Sequence, residues 1–520
     1  MKWYKKIIIG ILSLILLVFL LNIGLNLWIK YRLPDLINEK NNSDYAITYK
    51  EVEISLLNGS IHANEVVIVP KKALKDTINK TGIYGKVKWV EVKEFKIWSV
   101  LFSDRITAKS LTLNTPLITL YQTEDKAVKH PEGSKFDVVK PFEKIISVSD
   151  IYLYHGDVKI MRGHENKAIL SISNINLNID GLKVTDAILK SKIPFEYDKY
   201  AISCDSVYYN VSPFYDIITK KIKSTSKDLS IAEFKMAPKY NRIQFVKNLK
   251  AEKDLFNISA KSISLKNLDW GYNDNDLFVR TQLVTINNCH ADIYRNKMPA
   301  DDLTKKHLYN KLLRDLDFEL KVDTLKLKNS LVVYEEEKSF DKGSGKLIFN
   351  HFYMTATNIC SGFKKKKLAD LNINIKCRFM NTSPLDVAWR LNVMDKTDGF
   401  NIKGTLLNFD AEKIVPFTKP YMNVSTKGII DEVHFNFIGN DIKDSGGFAV
   451  KYDDLKFTVY KKDDRRKKNK FLTAIGNLFV KNDTKGKIKE AHVELERIPE
   501  KSFYNFLWRS VAEGLKKILI

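Results

Sequence analysis

The stretch ITYKEVEISLLNGSIHANEVVIV, residues 47–69, constrains the fold more than any other. Val52, Ile54 and Leu56 alternate with polar residues, Asn58-Gly59 follows, and then Ile61, Ala63, Val67 and Val69 alternate again. A period of two puts successive side chains on opposite faces of a strand. Asn-Gly between two such runs is a turn pair, because both residues tolerate positive φ. The stretch therefore predicts two strands that share one apolar and one polar face. Comparable units recur in ITAKSLTLNTPLITLY (106–121), ISVSDIYLYHGDVKIM (146–161), ISAKSISLKNLDWGY (258–272) and LKVDTLKLKNSLVVYEE (320–336). Their spacing is irregular, which makes this a loose repeat and not a strict solenoid period.

So many strands strain a simple sandwich. The expected fold is mostly β: a long, curved or coiled antiparallel sheet with a groove-like apolar face and few short helices. That face needs a cover, which can be helices, a second sheet, or something other than protein. Acyl chains suit it, since each buried CH₂ contributes about 0.8 kcal/mol. Val52, Ile54, Leu56, Ile61, Val67 and Val69 are the groove-facing candidates because their alternation is clean. An ordinary closed core built from the same residues is the competing expectation.

Both ends of the chain are apolar. Residues 7–29 form a run with only Ser13, Asn22 and Asn26 as polar members. As a helix it would span about 34 Å, enough for a bilayer. Lys2, Lys5 and Lys6 precede it and favour a cytoplasmic N-terminus. The run is longer than a signal-peptide core and lacks a small-residue cleavage site. It is expected to be an uncleaved signal anchor, with residues 1–6 cytoplasmic. At the other end, residues 499–520 predict an amphipathic helix capped by Ser502. Phe503, Tyr504, Leu507, Trp508, Val511, Leu515, Ile518 and Leu519 share half the cylinder, together with Ala512. Asn505, Arg509, Ser510, Glu513, Lys516 and Lys517 share the other half, with Phe506 an exception. An aromatic face opposite a basic one suits a bilayer interface or a partner's groove. It equally suits the protein's own β-layer.

Helical signals between the ends are few. Ser212-Pro213 predicts a short helix start. Leu303, Leu308, Leu312 and Leu313 predict a helical connector over residues 301–315. The expected organisation is thus a β-rich region over 30–300, the connector, a second β-rich region over 316–498, and the terminal helix.

The pattern resembles the AsmA-like family of bacterial envelope proteins, related to TamB-type bridge-like lipid transporters. EFKIWSVLFSDRITAKSLTLNTPLITLY is similar to the family's N-terminal signature, with Ile106, Ala108, Leu111, Leu113, Pro116 and Ile118 at its characteristic places. The segment from Asn401 to Asn440 resembles its C-terminal region, with Pro416 in a short helical turn and Gly428 starting a strand pair. The likeness is looser between Asp198 and Leu320, and the versions in Bacteroidetes-type bacteria are the nearest in style. The resemblance implies a periplasmic protein held in the inner membrane by residues 7–29. It implies a groove for phospholipid acyl chains, adding Ile106, Ala108, Leu111, Leu113 and Ile118 to its lining, and phospholipid transfer toward the outer membrane in support of envelope integrity. The C-terminal helix is then a candidate contact for an outer-membrane component.

Lys and Arg outnumber Asp and Glu by 85 to 62, a formal charge of +23. This surplus alone would admit nucleic acid, anionic lipid or lipopolysaccharide; a chain lying outside the cytoplasm argues against nucleic acid. KKKK at 364–367 and KKDDRRKKNK at 461–470 are expected at solvated hairpin tips. The loop EDKAVKHPEGSKFD, 124–137, is expected at the surface. The four cysteines form no CxxC pair, and buried thiols are expected, with a Cys360–Cys377 bridge as the alternative. Gly343 to Lys346 reads GSGK but is followed by Leu347, where a P-loop needs Ser or Thr. HExxH and GxSxG are absent, and the nine His are scattered. No catalytic, metal or cofactor residue is therefore assigned. A lipid conduit, a scaffold for outer-membrane protein assembly with a closed core, and an unrecognised envelope hydrolase are the three readings in competition, the conduit first.

Overall fold

A computed structural model describes residues 44–55, 58–74, 80–96, 106–122, 146–162, 167–182, 195–273, 275–461 and 483–519, together with Leu20, Leu21, Ile23, Gly24 and Leu27. The described residues form 23 strands of mixed sheet, five short helices or helical turns, and a C-terminal helix, so the protein is mostly β. The expected anchor, 7–29, lies outside the described residues except for those five positions, which are helical. No helix among the described residues is long and apolar enough to cross a membrane. The 124–137 loop, Leu56 and most of 461–470 also lie outside them. The 364–367 lysines do lie between two paired strands, Gly345–Cys360 and Leu371–Phe379.

The chain divides into two compact units, Met1–Val211 with Ile217–Ser226, and Ser212–Asp216 with Lys227–Ile520. In the first unit the strands are β1 (Tyr45–Thr48), β2 (Glu51–Ser55), β3 (Ser60–Pro70), β4 (Gly82–Lys93), β5 (Ile106–Asn114), β6 (Leu117–Gln122), β7 (Ile146–Arg162), β8 (Lys167–Asp180), β9 (Lys199–Tyr209) and most of β10 (Tyr215–Thr225). In the second they are β11 (Asp228–Pro238), β12 (Asp254–Lys266), β13 (Asp269–Asn273), β14 (Asp276–Asn287), β15 (His290–Asn296), β16 (Glu319–Glu337), β17 (Gly345–Cys360), β18 (Leu371–Phe379), β19 (Ser383–Leu391), β20 (Phe400–Asp410), β21 (Val424–Gly439), β22 (Lys443–Val459) and β23 (Lys489–Glu496). The helices α1 (Arg242–Lys247), α2 (Tyr309–Arg314), α3 (Val415–Met422) and α4 (Phe503–Leu519) all belong to the second unit.

The sheet is not purely antiparallel. β7 runs parallel to β5 and β6, and β16 runs parallel to β14 and β15. Parallel neighbours need a long return connection, and residues 297–318 supply one between β15 and β16. The 301–315 segment therefore returns the chain within the second unit instead of separating two regions. Only Tyr309–Arg314 in it is helical. Asp302 accepts from the backbone and hydroxyl of Thr304 (3.0 and 2.7 Å), a turn that keeps the preceding residues out of the helix. Ser212-Pro213 likewise starts no helix. Ser212 Oγ accepts from the backbone N–H groups of Phe214 and Tyr215 (3.2 and 3.1 Å) and turns the chain into β10.

The recurrence seen in the sequence has a structural counterpart. β5 and β6 act as one long strand interrupted at Thr115, keeping register with β4 on one side and β7 on the other. β14 and β15 do the same between β12 and β16, interrupted at Asn288. The hydrogen bonds around the two interruptions match: Thr115 N donates to Tyr154 O and Asp157 N to Pro116 O, while Asn288 N donates to Lys328 O and Leu331 N to Cys289 O (2.7, 2.8, 2.9 and 2.7 Å). A line of residues with positive φ crosses each unit at this level. In the first it runs through Glu65, Thr115, His155 and Asn174, and in the second through Glu233, Asn288, Asn329 and His351.

Such residues are uncommon outside glycine. Each accompanies a one-residue step in the strand's alternation, as a β-bulge does, and bends the strand. Leu111 and Leu113 precede the step at Thr115, whereas Ile118 and Leu120 follow it; Ile151 and Leu153 precede His155, whereas Val158 and Ile160 follow it. Local bonds hold the conformation: His155 Nδ1 lies 2.9 Å from Asn174 Oδ1, and Asn174 N donates to Asp157 Oδ1 at 2.9 Å. Replacing Asn174 by Val puts a β-branched residue at φ 50 and removes the side-chain bonds to His155 and Asp205. A loss of about 1–3 kcal/mol in the first unit is expected, read by chemical denaturation, with Asn174→Gly losing clearly less.

Candidate functional site

The pairing registers order the apolar residues of the first unit into transverse rows. Ile54, Ile61, Val92, Leu111, Ile151 and Ile179 form one. Val52, Ala63, Val90, Leu113, Leu153 and Leu177 form the next. Beyond the line of steps, Ile68, Gly85, Ile118, Val158, Ile172 and Val207 continue the series. The rows between them are polar, for example Glu53, His62, Glu91, Thr112, Tyr152 and Asn178. The sheet thus has an apolar face about six strands wide.

Five of its members, Val52, Ile54, Val92, Phe95 and Ala108, are buried together, with Ile61, Ala63, Leu111 and Val148 packed beside them. The others, including Leu113, Ile118, Leu153, Ile160, Leu170, Leu177 and Ile202, are only half-buried. The structure so brings together most of the groove candidates: Val52, Ile54, Ile61, Ala108, Leu111, Leu113 and Ile118. Ile106 opens β5. Val67 and Val69 fall elsewhere. The step at Glu65 (φ 50) makes Val66 the buried residue, and Val67 joins a row with Thr48, Lys86, Leu117 and Asp157. Clean alternation in the sequence ran across the step and so misplaced the second half of β3.

The second unit carries rows of the same kind. Leu265, Val284, Leu325, Ala356, Ile373, Trp389, Ile402 and Phe437 form one. Here α4 lies on β22 and β23 and closes the face into a core. Phe503 stacks on Trp389, ring centroids 4.4 Å apart and planes 1° from parallel, and meets Phe400 edge-on at 5.2 Å. Gly514 sits against Phe448, where an added Cβ would lie 2.3 Å from the ring. Ser502 caps the helix, accepting from Asn505 N at 3.3 Å. The buried line of α4 is Phe503, Phe506, Ser510, Gly514 and Ile518, with Leu507, Val511, Leu515 and Leu519 half-buried beside it. Phe506, an outlier on the helical wheel, is thus central, and Tyr504 and Trp508 point outward, 63% and 41% exposed. The small Ser510 and Gly514 let the helix approach the sheet closely, and this rotates the buried face away from the wheel's most apolar arc.

Ser510 Oγ donates to Asp444 Oδ2 at 2.7 Å, and both side chains are fully buried. Burial pushes the Asp444 carboxyl up to about 6, against the Ser510 hydrogen bond and the charge of Arg509. The sequence placed Ser510 on the polar arc and offered no sign of this pair.

On the helix-free side of β18–β23 the exposed alternate residues Asn374, Lys376, Asp386, Lys403 and His492, with the half-buried His434, border a shallow hollow of about 780 Å³. Lys376 and Asp386 are 3.8 Å apart, and His434 is held by Thr405 and Glu432 (3.1 and 2.8 Å). Among the described residues no three His, Cys, Asp or Glu side chains converge as metal ligands. The four cysteines are unpaired, and burial pushes the Cys377 thiol up to about 12.

A further concentration of buried charge is a belt where α1 meets β15 and β16. Arg242 makes a two-pronged pair with Glu335 (2.9 Å each) and lies 4.3 Å above the Tyr294 ring. Tyr294 bonds Glu337, and Lys297 reaches Glu252 (2.8 Å) and Glu336 (3.5 Å). Every member is partnered, which is the arrangement of a structural clasp. Burial alone would raise the Glu335 carboxyl, but Arg242, Ser344 and Lys346 outweigh it and hold it at about 2, against an ordinary 4.5. The native state therefore favours the ionised form. Its stabilisation is present above pH 4.5 and is lost as pH falls toward 2. Glu335→Gln is expected to lower the melting temperature at neutral pH and to flatten its decline across that acid window.

No protein-family model matches the sequence, and no curated protein matches it either.

Proposed function

We propose that the chain is a non-enzymatic, AsmA-like envelope protein that holds lipid acyl chains on the apolar face of its first unit and supports phospholipid transfer toward the outer membrane. In this reading residues 7–29 anchor it in the inner membrane and the bulk of the chain occupies the periplasm. One observation carries the proposal. The row Val52, Ala63, Val90, Leu113, Leu153 and Leu177 is apolar across six strands, yet all of it but Val52 is only half-buried, and no α-helix among the described residues lies on it. A half-buried apolar face of this extent gains by taking up hydrocarbon, at about 25 cal/mol per Å² removed from water. A second reading, a scaffold for outer-membrane protein assembly with a closed core and no lipid, draws support from the second unit, where α4 covers the apolar face over β19–β23. The test is native mass spectrometry of the full chain extracted from its membrane, with lipid analysis. Phospholipid retained in defined stoichiometry favours the conduit, and a lipid-free chain favours the scaffold.

A further inference from the structure

The two units share a scaffold but differ in cover, and the cover in the second unit is poorly satisfied. α4 is held by apolar contacts, chiefly Phe503, Phe506 and Ile518. Its polar contacts are deficient. Asp444 Oδ1 beneath Ser510, Trp389 Nε1 beneath Phe503, and Asn505 Oδ1 on α4 itself are buried without a hydrogen-bond partner among the described residues. A permanent core normally satisfies such groups, and an ionised Asp444 would be a buried charge whose one hydrogen bond comes from a neutral hydroxyl. Outside the seam α4 is tied at its rim, where Arg509 Nη1 donates to Glu496 O (3.1 Å), Lys517 Nζ to His492 O (3.0 Å) and Tyr309 OH to Tyr504 OH (3.4 Å), and Trp508 meets Phe417 edge-on at 6.2 Å. Under it lie Trp389, Phe400, Phe437, Phe448 and Val493, an apolar floor continuous with rows like those proposed above to hold lipid.

We infer that α4 is a displaceable lid over a second acyl-chain site, floored by the apolar side chains of β19–β23, and that the Asp444–Ser510 contact sets how firmly the lid is held. This rests on the reading that apolar rows of this scaffold take up acyl chains. When α4 leaves, Asp444 gains water and the floor is open to hydrocarbon; when it returns, Phe503, Phe506 and Ile518 occupy the place of the chain.

The lid is pH-dependent. The charged group acting on Asp444 is Arg509 on α4; the adjacent pair of Lys443 with Glu494 on β22 and β23 faces solvent, and the register neighbours of Asp444 are Leu495 on β23 and Gly439 on β21. The carboxyl sits at about 6 when covered against an ordinary 3.8. Docking is therefore strongest below 3.8 and weakens as pH rises through 6, by up to about tenfold in the closed-to-open ratio between pH 5 and pH 8.

The experiment is hydrogen exchange of residues 503–519 in the full chain, corrected for intrinsic rate, with lipid counting by native mass spectrometry after incubation with mixed micelles of detergent, phosphatidylethanolamine and phosphatidylglycerol. Wild type is expected to lose up to tenfold protection of α4 from pH 5 to pH 8. Asp444→Asn should keep its protection at both pH values, and Ser510→Ala, which removes the carboxylate's one hydrogen bond, should lose more than wild type at pH 8. In a Leu113→Asp background, lipid should remain bound at pH 8 and fall away at pH 5, and adding Asp444→Asn should suppress it at both. Equal α4 protection at both pH values in wild type, or protection in Ser510→Ala no lower than wild type, overturns the lid. Lipid present in wild type but absent from Leu113→Asp at both pH values overturns the second site and leaves the first intact. A lipid-free wild type overturns both.

Discussion

Leu113→Asp is expected to reduce phospholipid bound to the first unit at least tenfold, without unfolding the chain. Leu113 lies between Val90 and Leu153 in the apolar row and is half-buried, so the new carboxylate keeps access to water in the lipid-free protein. With an acyl chain laid on the row, that access is lost. Burying an ionised carboxylate against hydrocarbon costs several kcal/mol, and about 1.4 kcal/mol suffices for tenfold. The check is lipid count per chain together with circular dichroism. Asn178→Asp, exposed on the polar face in a row with Tyr152 and beside Leu177, is the matched control and should keep its lipid. Equal lipid in Leu113→Asp and wild type would sink the assignment of this face. Equal loss from both variants would mean that added negative charge, and not a change to the row, is responsible.

Phe437→Ala is expected to give the largest loss of stability, about 3–5 kcal/mol. Phe437 is fully buried in the second unit, stacks on Phe435 at 5.5 Å, and pairs in register with Ile402 and Gly446. Gly446 shows how little slack the site has, since a Cβ there would lie 1.9 Å from Asn436 O. A void left by the ring would be bounded by strands fixed on both sides by ladder hydrogen bonds, so it cannot readily collapse. Differential scanning calorimetry should show a transition lowered by roughly 6–20 °C. Because the chain forms two compact units, a single two-state transition is not assumed. Leu113→Asp should leave the transition of the second unit in place, and Phe437→Ala should leave that of the first. A shift below 2 °C for Phe437→Ala would contradict the closed core under α4.

The two substitutions probe faces with the same sequence signature, and the difference between them is instructive. Nothing in the alternation of Leu111, Leu113, Ile118 and Leu120 distinguishes a half-open face from that of Ile373, Ile375 and Trp389, which ends under a helix. Composition tells which side chains avoid water. It does not tell what arrives to cover them when the cover is supplied by residues more than a hundred positions away, as Phe503 is from Trp389.

The sequence by itself determined the local features. Period-two alternation made the strands, because a pleated backbone sends neighbouring side chains to opposite faces. Gly59, with φ 55, closed the β2–β3 connection, and Ser502 capped α4. Each depends on residues within a few positions of one another. The tertiary structure decided the rest. Asn174, Asn288, Asn329 and His155 tolerate a left-handed backbone, but Glu65 and Thr115 show no such tendency and adopt it where the neighbouring strand steps at the same level. The parallel pairings of β7 and β16 depend on long returns, and the choice of partner is a property of the assembled sheet. The rotation of α4 that buries Phe506 and turns out Trp508 was set by the close approach of Ser510 and Gly514 to Asp444 and Phe448. A helix's own pattern measures its affinity for an apolar surface, but the contour of that surface decides which arc of the helix fits it.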